Sequence, residues 1–230
     1  MTGYIDSIET MGLVDGPGIR MIVFMSGCKM RCLFCHNPES WDKTNATEIT
    51  EEEIITKLKK NINYYNNGGI TFSGGEPLMQ PEFLINTLKM CKENGIHTAI
   101  DTSGVGIGRY EEILDYTDLV LLDIKHIEEI EYKKLTGQSM NEFNKFITIL
   151  KNKKIPIWIR QVVIPTINDN FEYMEKLKNY IDQFNYEKVE LLPYHSHAVS
   201  KYEKLKIPYY LENIKDLSMN DIKKFQTMFD

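Results

Sequence analysis

Along most of the chain, short apolar runs alternate with segments whose apolar residues recur every three or four positions. Six runs read as strands: "IRMIVFMSG" from Ile19, "GITFSGG" from Gly69, "HTAIDTSG" from His97, "DLVLLDIKH" from Asp118, "PIWIRQVVIP" from Pro156 and "KVELLPYH" from Lys188. Helical patterns cover Thr50 to Tyr65, Pro81 to Asn94, Arg109 to Tyr116, Glu128 to Leu150 with a break near Gly137, and Asn170 to Phe184. A last one spans Met219 to Phe229. Strand, helix, strand at this spacing predicts parallel βα units joined by right-handed crossovers. A complete eightfold barrel needs ~250 residues. The 230 residues here therefore predict an α/β fold with an open, partial (β/α)6 barrel of parallel strands, a doubly wound sheet being the alternative. Without internal repeat or low-complexity linker, residues 1–230 read as a single domain.

Composition narrows the function classes. A hydrophobic content of 42% with 26% charged residues is ordinary for a globular chain. The net charge of −6 argues against a nucleic-acid partner, which would call for a basic face. No apolar run approaches ~20 residues, so no membrane span is expected. The opening "MTGYIDSIETMG" lacks the basic and apolar regions of a signal peptide, which points to the cytoplasm.

The predicted strands end in chemically capable groups. Cys28 follows the first; Gly74, Gly75 and Glu76 follow the second; Asp101 lies in the third. Asp123 and Lys125 close the fourth, the fifth carries Arg160, and His195 ends the sixth. One charge at a strand end merely marks the return to solvent. The same pattern in six successive units suggests a site, because parallel βα folds bind ligands at the carboxyl ends of their strands. Asp123 and Lys125, two residues apart, share one face of their strand. They form either an ion pair of little weight or a clamp for the charged ends of an amino acid or the hydroxyls of a ribose. In "SGGEP", from Ser73, the glycines make a turn and also expose backbone groups to a ligand.

Cysteine placement is the sharpest signal. Cys28, Cys32 and Cys35 lie within eight residues. In a reducing compartment such thiols are metal ligands or redox groups rather than disulfides. Cys91 stands apart, on the helical stripe of Phe83, Leu84, Thr87 and Leu88, as a small buried hydrophobe. Structural zinc sites and cubane iron–sulfur clusters usually take four protein ligands. Three thiols leave one position open unless His36 completes a zinc site, and adjacent Cys35 and His36 rarely bind one ion in good geometry.

Cys28-x3-Cys32-x-Phe34-Cys35 resembles the cluster loop of the radical S-adenosylmethionine (radical SAM) superfamily, and "SGGEP", "DTSG" and "LLDIK" follow in the order that family shows. "VDGPGIR" from Val14, "CHNPESWD" from Cys35, "WIRQVVIP" from Trp158 and "VELLPYH" from Val189 are similar to the branch of glycyl-radical enzyme activases that act on pyruvate formate-lyase. The resemblance runs from about residue 3 to residue 205. It implies that Cys28, Cys32 and Cys35 hold a [4Fe-4S] cluster whose fourth iron takes the amino and carboxylate groups of S-adenosylmethionine. It implies further that a 5′-deoxyadenosyl radical, made by reductive cleavage, abstracts hydrogen from a target glycine.

Residue by residue, the resemblance places Phe34 beside the cluster and the adenine. Ser73, Gly74, Gly75 and Glu76 fall at the segment that binds the methionine amino group. Asp123, Lys125, Arg160, Val162 and His195 fall at positions lining the cosubstrate pocket, with Lys125 and Arg160 as carboxylate partners. Asp101, Thr102 and Asp123 form a candidate monovalent-cation site, and Asp15 and His36 are candidates to meet the target peptide. His97, His126 and His197 are read as structural or surface residues. The implied partners are pyruvate formate-lyase and an electron donor, flavodoxin or ferredoxin, for which Lys29 and Arg31 offer a basic spot; the chain is expected to be a monomer. About thirty residues separate Cys35 from the next strand, with no further cysteine set, so the inserted ferredoxin-like domain of some activases is not expected. After His195, "SHAVSKYEKLKIPYY" departs from the glycine-containing continuation of the family. The remaining alternatives are a radical SAM enzyme acting on another glycyl-radical enzyme or a small molecule, and a non-catalytic zinc-binding module.

Overall fold

In the computed structural model, residues 1–65 and 67–230 are described. The strands are β1 (Thr2–Gly12), β2 (Arg20–Met25), β3 (Thr47–Thr50), β4 (Gly69–Gly74), β5 (Thr98–Thr102), β6 (Leu119–Asp123), β7 (Ile157–Val163) and β8 (Tyr186–Pro193). The helices are α1 (Glu51–Lys60), α2 (Pro81–Glu93), α3 (Tyr110–Asp115), α4 (Glu129–Thr136), α5 (Asn141–Lys153), α6 (Phe171–Ile181), α7 (Val199–Leu205) and α8 (Met219–Gln226). One eight-stranded sheet runs β3-β1-β2-β4-β5-β6-β7-β8. From β2 to β8 every pairing is parallel, and each new strand adds on the same side of the last. A doubly wound sheet would reverse direction at a switch point. None occurs among the described residues, and with β3 and β8 as free edges the sheet is an open, partial barrel of six parallel strands.

Local chemistry starts and stops the helices. Thr50 and Glu53 form a capping box for α1, with three glutamates in its first turn and lysines in its last. Pro81 opens α2, and the Asn170 side chain caps α6. Gly137, at φ 72°, ends α4 in the left-handed region and splits the 128–150 pattern where its break was expected.

The sheet has two faces of different chemistry. Ile70, Phe72, Ile100, Val120, Leu122 and Ile159 pack outward against the helices in the main core. The alternate residues point into the barrel, where Ala99, Leu119 and Leu121 form a small cluster with Trp158. One row higher, Asp123, Arg160 and Glu190 stand side by side in register. The barrel interior is thus apolar low down and polar near the carboxyl ends.

Three elements were not anticipated. β1 pairs antiparallel with both β2 and β3. Its register shifts between Ile5 and Ser7 and again between Glu9 and Gly12, so its apolar spacing matches no simple period. β3 has four residues and buries only Ile49. α7 buries only Tyr202, too little for a visible stripe.

Candidate active site

The cysteine loop leaves β2 at Met25 and is held from three sides. The Arg31 and Leu33 N–H groups donate to Thr136 O and Leu135 O, at 2.8 and 2.9 Å, so the loop satisfies the last carbonyls of α4. Gly27 N and Cys28 N donate to Ser40 O and Trp41 O, at 2.8 and 3.1 Å. The Gly74–Gly75 turn closes the third side. Gly74 sits at φ 99°, and a Cβ on Gly75 would fall 2.8 Å from Gly27 O and 2.9 Å from Ser40 O. Only glycine lets the end of β4 pass this close.

Cys28, Cys32 and Cys35 are free thiols facing one cavity of about 290 Å³. Around it stand Phe34, His36, Ser73 to Glu76, Asp101, Thr102, Asp123, Lys125, Arg160, Val162 and Leu192, so residues from all six parallel strands or the loops after them meet there. Burial pushes the Cys28 thiol up to about 12 and raises Cys32 and Cys35 as well. Such thiols stay protonated until a cation displaces the proton. Among the described residues, no group of three or more His, Cys, Asp or Glu converges on a point that one metal ion could fill. His36, the one candidate fourth ligand, is turned to His195, with Nε2 3.1 Å from His195 O and the two rings stacked. Three separate thiolates without a fourth suit a [4Fe-4S] cluster held at three corners. Cys91 is fully buried in α2, as a core residue should be.

Charged groups line the opposite wall. Lys125 Nζ donates to Asp123 Oδ2 at 2.6 Å and stands 5.6 Å from the Phe34 ring centroid. Burial opposes the charge on Lys125, but the carboxylates of Asp123 and Asp101 outweigh it and hold the ammonium protonated. With one ion-pair partner, Lys125 keeps donors for a ligand. Arg160 differs. Its Nε donates to Glu190 at 2.9 Å, Nη1 to Asp15 at 3.2 Å and Asp101 at 3.5 Å, and Nη2 to Val14 O. Protein groups already take up most of its fork.

Asp101 accepts from Ser73 Oγ at 2.8 Å, while its Oδ1 is buried with no partner. Burial and the neighbouring Asp123 charge push its pKa up to about 7, against the pull of Arg160. An orphaned buried oxygen beside a second carboxylate is a place where a cation fits. Glu76 is more committed: Leu78 N and Thr102 Oγ1 donate to Oε1, and Ser103 N and Oγ donate to Oε2. Its carboxylate locks the β4 and β5 turns together, and the Gly75 and Glu76 N–H groups are spent on Met25 O and Gly27 O at 2.7 and 3.0 Å, which leaves the carbonyl oxygens of the Gly-Gly turn as the part of "SGGEP" suited to a donor ligand. Thr102 spends its hydroxyl proton on Glu76 and accepts from Gly104 N.

Two expected residues do not line the cavity. His195 stacks on His36 with ring centroids 4.0 Å apart and reaches the cavity only through it. Asp15 lies behind Arg160, and its carbonyl accepts from Thr71 Oγ1 at 2.7 Å. Conversely, Met30, Asn37, Trp41, Ser103 and Leu192 line the cavity and were not singled out, nor was Glu190, the Arg160 partner. Glu190 carried a usable signal, standing alternate to Leu192 on a strand expected beside that of Arg160. Trp41 carried none, because its position depends on the chain folding back after the cysteines.

Residues 22–181 match the radical SAM superfamily. A pyruvate formate-lyase-activating enzyme of Clostridium pasteurianum is 52% identical over 227 residues, covering 97% of this chain and 95% of that protein. Another from Staphylococcus epidermidis is 44% identical, covering 94% and 90%. Among solved structures, a domain of a pyruvate-formate lyase-activating enzyme from Bacteroides vulgatus superposes with a TM-score of 0.55 at 25% identity, covering 70% of this chain and 92% of that one. Streptococcus suis SuiB bound to S-adenosylmethionine shares the fold, with a TM-score of 0.66 at 15% identity over 87% of this chain and 44% of its own.

Proposed function

The chain belongs to the radical SAM superfamily, in its pyruvate formate-lyase-activating branch, and we propose that it generates the glycyl radical of pyruvate formate-lyase with the cavity of the cysteine loop. The observation that carries this is the convergence of three free thiols with Lys125, Asp123 and the Gly-Gly turn in one cavity. When bound, a reduced [4Fe-4S] cluster with S-adenosylmethionine supplies a 5′-deoxyadenosyl radical that takes hydrogen from the target glycine. Cys28, Cys32 and Cys35 hold the cluster. The Gly74–Gly75 backbone and Ser73 receive the cosubstrate amino group, and Lys125 meets its carboxylate with donors that Asp123 leaves free. Phe34 and Val162 supply apolar surface, and His36, backed by His195, stands at the mouth. Asp101, with Thr102 and Asp123, offers oxygens to a monovalent cation; the orphaned Asp101 Oδ1 supports that assignment.

The target loop enters beside Asp15. Arg160 holds both Asp15 and Val14 O, so it links the "VDGPGIR" segment to the cavity wall. Lys29 and Arg31 are exposed on the cysteine loop, where flavodoxin or ferredoxin would approach. No described helix is long and apolar enough to cross a membrane. Free thiols in the site suit the reducing cytoplasm. The whole chain acts as one unit and as a monomer, which the covered edge of β8 supports (Gln226 bonds Leu191 N and Val189 O).

The test is anaerobic. After reconstitution with iron and sulfide and reduction, S-adenosylmethionine and pyruvate formate-lyase should give a glycyl EPR doublet with stoichiometric 5′-deoxyadenosine. Cosubstrate cleavage without the doublet would move the substrate elsewhere. Absence of both cluster and cleavage would overturn the assignment.

A further inference from the structure

Each of the three cysteines of the loop is backed by a different part of the chain. Cys28 N donates to Trp41 O at 3.1 Å, and Cys28 O accepts from Arg31 Nη1 at 2.8 Å. Cys32 is flanked by Arg31 and Leu33, whose N–H groups meet the end of α4. Cys35 N donates to Cys32 O at 3.0 Å, inside the loop. Among the described residues, the one bond that reaches the Cys35 main chain from outside the loop comes from α7: the Tyr202 hydroxyl donates to Cys35 O at 3.1 Å. The turn after Cys35 is tied to the same helix. Lys201 Nζ donates to Asn37 Oδ1 at 2.8 Å and also to Glu39, and the Trp41 ring meets that of Tyr202 edge to face at 5.9 Å. Lys201 and Tyr202 belong to the stretch after His195 that departs from the family's glycine-containing continuation. A seven-residue helix does not stand by its own propensity, and α7 is anchored from behind. The Tyr209 ring packs 4.8 Å from that of Tyr202. Tyr194 OH donates to Leu211 O at 3.0 Å and so accepts from Tyr209 OH at 2.8 Å. All three tyrosines are buried.

Resting on the cluster assignment above, we propose that α7 is a brace for the third cluster ligand: Tyr202 is a positioning residue that holds the Cys35 corner, and Lys201 holds the turn behind it. Three fixed points hold a rigid body, whereas two leave it free to pivot. The bond to Cys35 O therefore decides whether the group carried by the thiolates keeps one orientation toward Lys125 and the Gly-Gly turn. Groups that orient metal ligands from behind typically change metal retention by about 10–100-fold. Tyr202 does this through the main chain of Cys35 and leaves the sulfur to the iron. The Tyr194–Tyr209 pair stiffens the brace without touching the loop, so it supports the fold around Tyr202 and not the ligand itself.

The experiment compares Tyr202→Phe with Tyr209→Phe in the reconstituted enzyme. Each keeps its ring and loses one buried hydroxyl, but only the first loses a bond to the loop. Held without oxygen in excess iron chelator, Tyr202→Phe should release its iron about tenfold faster than wild type. The EPR signal of its reduced cluster with S-adenosylmethionine should divide into more than one component. Tyr209→Phe should match wild type in both, while the two variants melt alike without cluster. Lys201→Met should quicken release by a smaller factor, and Lys201→Arg should restore it. A Tyr202→Phe chain that is folded by circular dichroism yet loads no iron, beside a Tyr209→Phe chain that loads, supports the brace. Should Tyr202→Phe not fold, Lys201→Met decides, and unchanged release there overturns the proposal. Unchanged release in a folded Tyr202→Phe, or equal acceleration in both tyrosine variants, also overturns it. A single unaltered EPR signal overturns the positioning role given to Tyr202. A wild-type chain that takes up no cluster overturns the functional assignment, and this inference with it.

Discussion

Arg160 and Asp15 meet across 145 positions of the chain, with Nη1 3.2 Å from Oδ1. The same guanidinium grips Val14 O, Glu190 and Asp101, so one side chain ties the segment before β2 to β5, β7 and β8. Removing partners from such a buried pair typically costs about 3–5 kcal/mol.

Arg160→Lys tests this tie. Lysine keeps the charge but not the fork. Amide exchange across 13–18, followed by mass spectrometry, should quicken at least about tenfold, with stability lower by roughly 2–3 kcal/mol in urea. Unaltered exchange would mean that Arg160 does not hold the segment.

Asp101 makes stability depend on pH in a defined sense. Its carboxyl titrates near 7 in the fold, against ~3.9 unfolded. The folded state holds the extra proton between these values, so the Asp101 contribution is full below pH ~4 and lost as the pH rises through about 7. In cluster-free protein, wild type should lose roughly 2–4 kcal/mol relative to Asp101→Asn between pH 4.5 and 8. A pH-independent difference would contradict the burial argument.

A monovalent cation should act in the opposite range. Potassium should raise the melting temperature of cluster-free protein at pH 8, where Asp101 is ionised, and have little effect at pH 5. Asp101→Asn should abolish the effect. Equal stabilisation at both pH values would leave only general salt screening.

The cysteines should divide cleanly. Cys32→Ala should reduce iron bound after reconstitution to background. Cys91→Ala should bind iron as wild type does and lose about 1 kcal/mol of stability through its core cavity. Iron loss in the Cys91 variant, with the fold intact by circular dichroism, would put that thiol at the cluster.

Gln226 shields the free edge of β8. Its amide accepts from Leu191 N and donates to Val189 O, both at 2.9 Å, in place of a ninth strand. Gln226→Ala should cost about 1–2 kcal/mol and increase self-association by light scattering. Unaltered stability and a monodisperse protein would show that α8 alone covers the edge.

Features confined to one short segment are legible in the amino-acid sequence. The thiol spacing, the acid that ends β6 with the base two residues beyond it, and the Gly-Gly turn depend only on strand alternation and loop length. The six parallel strands followed from their rhythm. β1 and β3 did not, because the bulges in β1 break its period and β3 buries a single side chain.

The chain itself determined that three thiolates, a lysine–aspartate pair and a glycine turn would gather at the carboxyl ends of parallel strands, since a period of two fixes which side chains share a face. Only the folded structure decided that Glu76 would be consumed as a clamp, that Arg160 would be nearly saturated by Asp15, Val14, Asp101 and Glu190, and that Trp41 would come to lie under Arg31 at the cavity wall. The reason is physical. Those outcomes depend on contacts between distant segments, where packing and hydrogen-bond satisfaction select the partner, and no local period records them.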